Sequence, residues 1–344
     1  MSQISMKAPQ EKVSNKTSDV TDISAAWDKD NQAWWDWYVT LAENKAKTDA
    51  LLVTEPLPNI EIPNDDEIIS ELTEPYPLQN DQIAFFRKNG FIKIKNVFSP
   101  GALLKLRSEL INILKLEFDV DPDKGAYDRF LSLEMTWLDN SLIRAYVLSP
   151  RLGKISADLL GVPAVRLYHD NVLAKQPGCG RTPWHFDDHH FPLDTNDVVT
   201  AWAPAQAIPI EMGPLSFAYP LDVHKVVNAV AFEKTGTGYD RGVSKIFSEN
   251  DVTIDETPFE LGEVSFHHNL SFHTAAGNYT NRSRIALANT YYKDGTRVIN
   301  SPTMVSGDWK KFLPNVKPGD VAASPMNPVC WPVKSAPSKV PSRC

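Results

Sequence analysis

Residues 262–292 read GEVSFHHNLSFHTAAGNYTNRSRIALANTYY. Two β-prone runs, Val264-Ser265-Phe266 and Arg284-Ile285-Ala286-Leu287-Ala288, flank a segment rich in Gly, Asn and Ser. Runs of this kind, punctuated by such residues, are strands joined by turns. The same texture extends upstream through Val165-Arg166-Leu167-Tyr168 to Leu173-Ala174-Lys175, Val198-Val199-Thr200-Ala201-Trp202 and Gly213-Pro214-Leu215-Ser216-Phe217. Before Val165 the pattern is helical. Asp81 to Lys88 reads as a short helix stopped at Asn89-Gly90, where Gly supplies a left-handed end. Phe91 to Lys95 alternates as a half-buried strand does. Ser99-Pro100 offers an N-cap and a first-turn Pro to a helix from Gly101 to about Glu117, and a further helical region covers roughly Ser141 to Leu160. Helices first and many short strands afterwards predict an α+β chain, mainly β at its core, whose second part is a sandwich or barrel.

Outside that region the chain is less regular. Residues 1–22 are polar and are expected to be disordered. Residues 23–79 read as an arm: Trp27, Trp34, Trp35, Tyr38, Leu41 and Ala42 recur at helical spacing, and a Pro-rich, acidic connector follows over 52–79. The compact domain is expected over 80–300. Residues 301–344 carry Pro314, Pro318, Pro325, Pro328, Pro332, Pro337 and Pro341, and are expected to form a tail without ordinary helices or central strands.

Composition excludes several classes. The net charge of -8 and the absence of a basic run argue against a nucleic-acid partner. No apolar run reaches membrane-spanning length, and the N-terminus shows no secretory signal. Three scattered cysteines, Cys179, Cys330 and Cys344, fit a reducing compartment, so the expected location is cytoplasmic. The expected partner is a small-molecule substrate, acting on a monomer or homodimer.

All eight histidines fall between His169 and His273. Within Trp184-His185-Phe186-Asp187 the strand pleat places His185 and Asp187 on one face. A tripeptide of this kind arises by chance, and a core or turn histidine is the ordinary alternative. His273, on a separate strand, supplies a third donor. Two imidazoles and one carboxylate on one face of an octahedron leave three positions open, the donor set of a non-haem Fe(II) site. Eleven residues beyond His273 lies Arg284, whose fork suits a carboxylate, with Arg282 as the fallback. A dicarboxylic keto acid that chelates the metal at one end needs such a grip at the other.

With these residues in view, the chain resembles the phytanoyl-CoA dioxygenase (PhyH) family of Fe(II)/2-oxoglutarate-dependent oxygenases. The resemblance rests on Trp184-His185-Phe186-Asp187-Asp188-His189-His190-Phe191-Pro192-Leu193, Ala201-Trp202, Glu211-Met212-Gly213-Pro214-Leu215-Ser216-Phe217, and Gly262-Glu263 leading to His268, His273 and Arg284, and spans roughly residues 80–300. It implies a double-stranded β-helix, or jelly roll, flanked by helices. It implies that His185, Asp187 and His273 bind iron, and that Arg284 pairs with the distal carboxylate of 2-oxoglutarate. It places Trp202 and Asn171 beside that cosubstrate. Two residues past the distal His, where the family can offer a Ser, this chain has Ala275, so that hydrogen bond is expected to be missing or to come from Thr274 or another residue. The implied reaction is hydroxylation of a substrate C–H bond with O2, releasing succinate and CO2, with ascorbate as reductant. Desaturation, cyclisation, epimerisation and dealkylation are the alternatives on the same centre, and a non-catalytic metal-binding jelly roll is the alternative of another class. Halogenating relatives lack the carboxylate that Asp187 supplies here.

Overall fold

Caps and prolines set the helix boundaries of this chain. The computed structural model describes residues 51–124, 129–227, 230, 238–302 and 309–333. The Trp-rich helix expected over Trp27 to Ala42 therefore lies outside the described residues. Helix α1 (Asp65–Thr73) falls inside the stretch expected to be an extended connector. Its signal was Asn64-x-x-Glu67: the Asn64 side chain accepts from the Glu67 N–H while the Glu67 carboxylate accepts from the Asn64 N–H. Ile68 and Leu72 are buried, so packing consolidates what the cap begins.

Helix α2 (Asn80–Asn89) stops at Gly90, whose φ of 80° is left-handed. Helix α3 (Pro100–Phe118) starts after Ser99, whose hydroxyl accepts from the Ala102 N–H. The single helical region expected over Ser141 to Leu160 is two helices, α4 (Ser141–Val147) and α5 (Pro150–Leu160). Pro150 disfavours helical geometry at the residue before it, and Ser149 instead caps the new helix.

The strands, numbered in chain order, form two antiparallel sheets. In the larger, β1 (Phe91–Ile94), β8 (Val264–His268), β5 (Val198–Pro204), β10 (Arg284–Lys293) and β3 (Val165–Lys175) lie side by side. The far edge of β3 is shared by β2 (Phe130–Glu134) and β11 (Val329–Trp331). The smaller sheet runs β4 (Thr182–His185), β9 (Phe272–Ala275), β6 (Leu215–Tyr219), β7 (Thr253–Asp255). From β3 onward the chain passes repeatedly between the sheets, with β3, β5, β8 and β10 in one and β4, β6, β7 and β9 in the other. This winding is a jelly roll.

The two sheets and the helices make two cores. Helical residues such as Leu103, Leu110, Ile143 and Ile155 pack with Val172, Ala201, Phe266 and Leu287 of the large sheet. Between the sheets lie Phe91, Trp202, Leu215, Phe217, Ala275, Ala286 and Ala288. Strand β10 is covered on both faces, so Arg284 to Tyr292 are all buried. The strands thus form a β core flanked by helices, as expected.

Residues 309–333 are not a tail. Trp309, Phe312, Leu313, Ala322 and Cys330 join the main core. Proline still governs their form: β11 is three residues at a sheet edge, and helix α6 (Trp309–Phe312) is a single turn. No helix among the described residues is long and apolar enough to cross a membrane.

Candidate metal centre

His185 ends β4, and it sits opposite His273 of β9 in the small-sheet register. The pleat does not carry Asp187, as the sequence reading assumed. Strand β4 stops at His185, and Asp187 adopts φ -88° and ψ -7° at the start of a 3-10 turn, Asp188–His190. The Asn269 carbonyl at the β8–β9 turn fixes this bend, accepting from the N–H groups of Asp187 at 2.8 Å and Asp188 at 3.1 Å. The Asn269 amide returns a bond to the Asp188 carboxylate at 2.9 Å. A tethered bend, rather than strand geometry, brings Asp187 to the histidines.

The three ligand atoms of His185, Asp187 and His273 all lie within 4.8 Å of one another. Asp187 Oδ1 is 3.6 Å from His185 Nε2 and 4.0 Å from His273 Nε2. Each ring is oriented by its other nitrogen: His185 Nδ1 meets the Pro183 carbonyl at 2.8 Å, and His273 Nδ1 meets the Ser271 carbonyl at 2.9 Å. A carbonyl accepts, so Nδ1 carries the proton and Nε2 presents a lone pair. Burial pushes the pKa of both imidazoles down, which keeps them neutral and able to ligate. Burial opposes ionisation of Asp187, but His273, His267 and His185 outweigh it and hold the carboxyl below its ordinary range. Two oriented nitrogens and one ionised oxygen at one point fit a divalent iron with one coordination face open.

Arg284 opens β10 and is buried. Its Nη1 donates to the Gly213 carbonyl at 2.7 Å, and its guanidinium lies 5.3 Å from the Trp202 ring. Ala288 pairs with Trp202 on one side and with Asn171 on the other, so these three form a row on the face turned to the small sheet. Asn171 Oδ1 accepts from the Ser132 hydroxyl at 3.0 Å. The structure therefore gathers Arg284, Trp202 and Asn171 on the large-sheet wall opposite the strands that bear the histidines.

Thr274 is placed elsewhere. Strand alternation turns it away from the His273 face, and its hydroxyl donates to the Thr182 carbonyl at 2.5 Å. Arg282 precedes β10 and donates to the Glu55 carbonyl at 2.8 Å, so it does not share the Arg284 wall.

From the sequence, one of His267 and His268 is expected to face inward behind the ligand strand, His224 to close a turn, His169 to pair with Asp170 in the core, and His189 and His190 to line the cavity or bond backbone; the fold sorts them. His267 faces inward: its Nε2 is 3.6 Å from Asp187 Oδ2, and its ring is 4.7 Å from that of His273. His268, one residue on, faces the other way and accepts from the Leu270 N–H. His224 closes a turn on the Leu221 carbonyl, and His169 stacks on Phe312 at 4.4 Å. Burial lowers the pKa of His190 to about 4. Asn269 and the carbonyl of Gly213 were not found from sequence. A backbone acceptor carries no residue signature, and Asn269 looks like any turn residue.

The family model for phytanoyl-CoA dioxygenase (PhyH) matches residues 86–286. Peroxisomal phytanoyl-CoA dioxygenase of Homo sapiens is 26% identical over 264 residues, covering 68% of this chain and 76% of the human one. Among solved structures, the non-heme alpha ketoglutarate dependent carbocyclase SnoK from nogalamycin biosynthesis superposes with a TM-score of 0.59 at 22% identity, over 74% of this chain and 99% of that one. EctD from S. alaskensis, solved with 2-oxoglutarate and 5-hydroxyectoine, gives a TM-score of 0.55 at 15% identity, over 82% and 96%. At these identities the two structures share the fold.

Proposed function

Because the chain belongs to the phytanoyl-CoA dioxygenase family, and with it to the iron- and 2-oxoglutarate-dependent oxygenases, we propose that it hydroxylates a C–H bond of a small organic molecule. Succinate and CO2 are the coproducts. The observation that carries this reading is one juxtaposition. His185, Asp187 and His273 converge on a single point, and Arg284 is buried on the facing wall with Trp202 across it.

Iron and 2-oxoglutarate, when bound, supply the oxidising power. The chain supplies placement. His185 and His273 offer Nε2, and Asp187 offers Oδ1. Arg284 offers a buried cation to the distal carboxylate, where a low-dielectric wall strengthens the pairing. Phe217, Leu215 and Ala275 keep the space between the sheets apolar and water-poor. A molecule smaller than an acyl-CoA thioester is preferred, because no basic cluster suited to the phosphates of coenzyme A is evident in the sequence.

The test is direct. Purified protein with Fe(II), ascorbate, O2 and 2-oxoglutarate should form succinate, increasingly so with a true substrate, and His185→Ala should abolish both succinate and iron binding. An anaerobic Fe(II) and 2-oxoglutarate titration should give a weak visible charge-transfer band. Absence of the band and of succinate would leave a binding protein instead. Product mass decides the outcome: a gain of one oxygen is hydroxylation, and a loss of two hydrogens is the ring closure or desaturation that the SnoK likeness keeps as the second reading.

A further inference from the structure

Lys175 is fully buried at the end of β3, and none of the chemistry above uses it. It is the register partner of Arg284 on β10, so two buried cations lie side by side across one strand pair. Burial and the neighbouring Arg284 both push the Lys175 pKa well down. The ammonium is held by three backbone carbonyls: Gly180 at 2.9 Å, Ala276 at 2.9 Å and Ala275 at 3.3 Å. A lysine has three donors, and here all three are engaged. Lys175 is therefore not itself a carboxylate ligand.

The carbonyls it holds border the small sheet. Gly180 lies just before β4, Ala275 ends β9 and Ala276 follows it, and these are the two strands that carry His185 and His273. The same end carries the wall of Arg284. Gly213, whose carbonyl accepts from Arg284, packs so closely on Ala276 that a Cβ there would lie 2.3 Å from the Ala276 oxygen. The backbone of Lys175 closes the same knot, its carbonyl accepting from the Asn278 amide at 3.0 Å.

We propose that Lys175 is a positioning residue for the keto-acid cosubstrate. It struts the small sheet against the large one at the Arg284 end, and so sets the span between the metal ligands and the carboxylate grip. This rests on the functional reading above. The strut acts at the Ala276–Gly213 end of the cavity, away from the bend that holds Asp187. Its removal is felt by the cosubstrate and not by the metal.

The experiment compares Lys175→Met with the wild-type protein by anaerobic titration calorimetry, first with Fe(II), then with 2-oxoglutarate on the iron-loaded protein. The expected result is a Kd for 2-oxoglutarate raised about tenfold, the scale of loss when a group that orients a site is removed, with Fe(II) affinity unchanged. The preference for 2-oxoglutarate over 2-oxoadipate, one methylene longer, should shrink, a ratio that a general loss of stability does not move. An unchanged 2-oxoglutarate Kd, or equal losses for metal and cosubstrate, would overturn the proposal. If Lys175→Met does not fold, Lys175→Arg keeps the charge but its planar head does not reproduce the three-carbonyl fan, and the same selective loss is expected. An unchanged 2-oxoglutarate Kd in that variant would overturn it equally. Failure of the wild-type protein to bind 2-oxoglutarate sinks the functional reading and this inference with it. Wild-type binding with unaffected variants sinks this inference alone.

Discussion

Asp187 presents its two oxygens to different partners, Oδ1 to the imidazoles of His185 and His273 and Oδ2 to His267. Asp187→Ala removes the carboxylate and leaves two neutral nitrogens. Its Fe(II) or Co(II) affinity should fall by more than about a hundredfold, beyond the range seen when an outer partner is lost. His267→Phe keeps the ring volume but leaves Oδ2 without that partner, and the expected loss of metal affinity is about tenfold. Calorimetric metal titration reads both, and equal losses in the two variants would contradict the division of labour. Arg284→Lys keeps the charge but not the planar fork. The KM for 2-oxoglutarate should rise about tenfold, the cost of about 1.4 kcal/mol, while metal affinity stays unchanged. At this scale the sequence was informative, since it singled out His185, Asp187 and His273, which the structure brings together, and Arg284, which it buries on the facing wall. Thr274 was misplaced because its hydroxyl is used locally, on the Thr182 carbonyl.

Among the elements, β8 carries a built-in acid sensitivity. His268 lies on the face of β8 turned away from the ligands, and burial is the main cause that lowers its pKa from 6.5 to about 4. Below pH 6.5 the unfolded chain takes up this proton and the folded chain does not. Stability therefore falls as pH drops from 6.5 towards 4 and is fully present above 6.5. From pH 7 to pH 5 this one group is expected to cost about 2 kcal/mol. Urea unfolding of wild-type protein and His268→Gln at the two pH values measures it, and an identical pH slope in both would refute it. The helix ends obey simpler rules. Ser99 caps α3 and also donates its hydroxyl to Glu71 at 2.7 Å, joining α3 to α1. Ser99→Ala should cost about 1–2 kcal/mol in denaturant unfolding, a capping loss at the upper end of the usual range. Elements with such local signals, the Gly90 stop and the Ser99-Pro100 start, were read correctly from the sequence. Helix α1 was passed over because its Asn64-x-x-Glu67 cap is surrounded by prolines and acids that suggest a connector.

For the whole molecule, the residues past 301 decide how large the folded unit is. Trp309, Phe312 and Leu313 are buried in the main core, and β11 pairs with the N-terminal end of β3. Deleting residues 309–344 removes these side chains, forfeiting about 2 kcal/mol of burial each, and uncovers an edge of β3. The truncated chain should unfold at markedly lower temperature, and an unchanged melting temperature would show that the segment is dispensable. By itself the sequence determined which groups are available, two imidazoles, a carboxylate and a guanidinium, and the run of strands that makes a two-sheet core. Those features are local, because period, capping and side-chain type act within a few residues. Tertiary structure alone decided how the pieces meet. Asp187 reaches its histidines through a bend tied to Asn269, His267 rather than His268 faces the carboxylate, and Lys175 meets Arg284 across the β3–β10 pair. Each of these depends on backbone carbonyls or on strand register between segments about a hundred residues apart in the chain, and side-chain identity does not encode a contact of that kind.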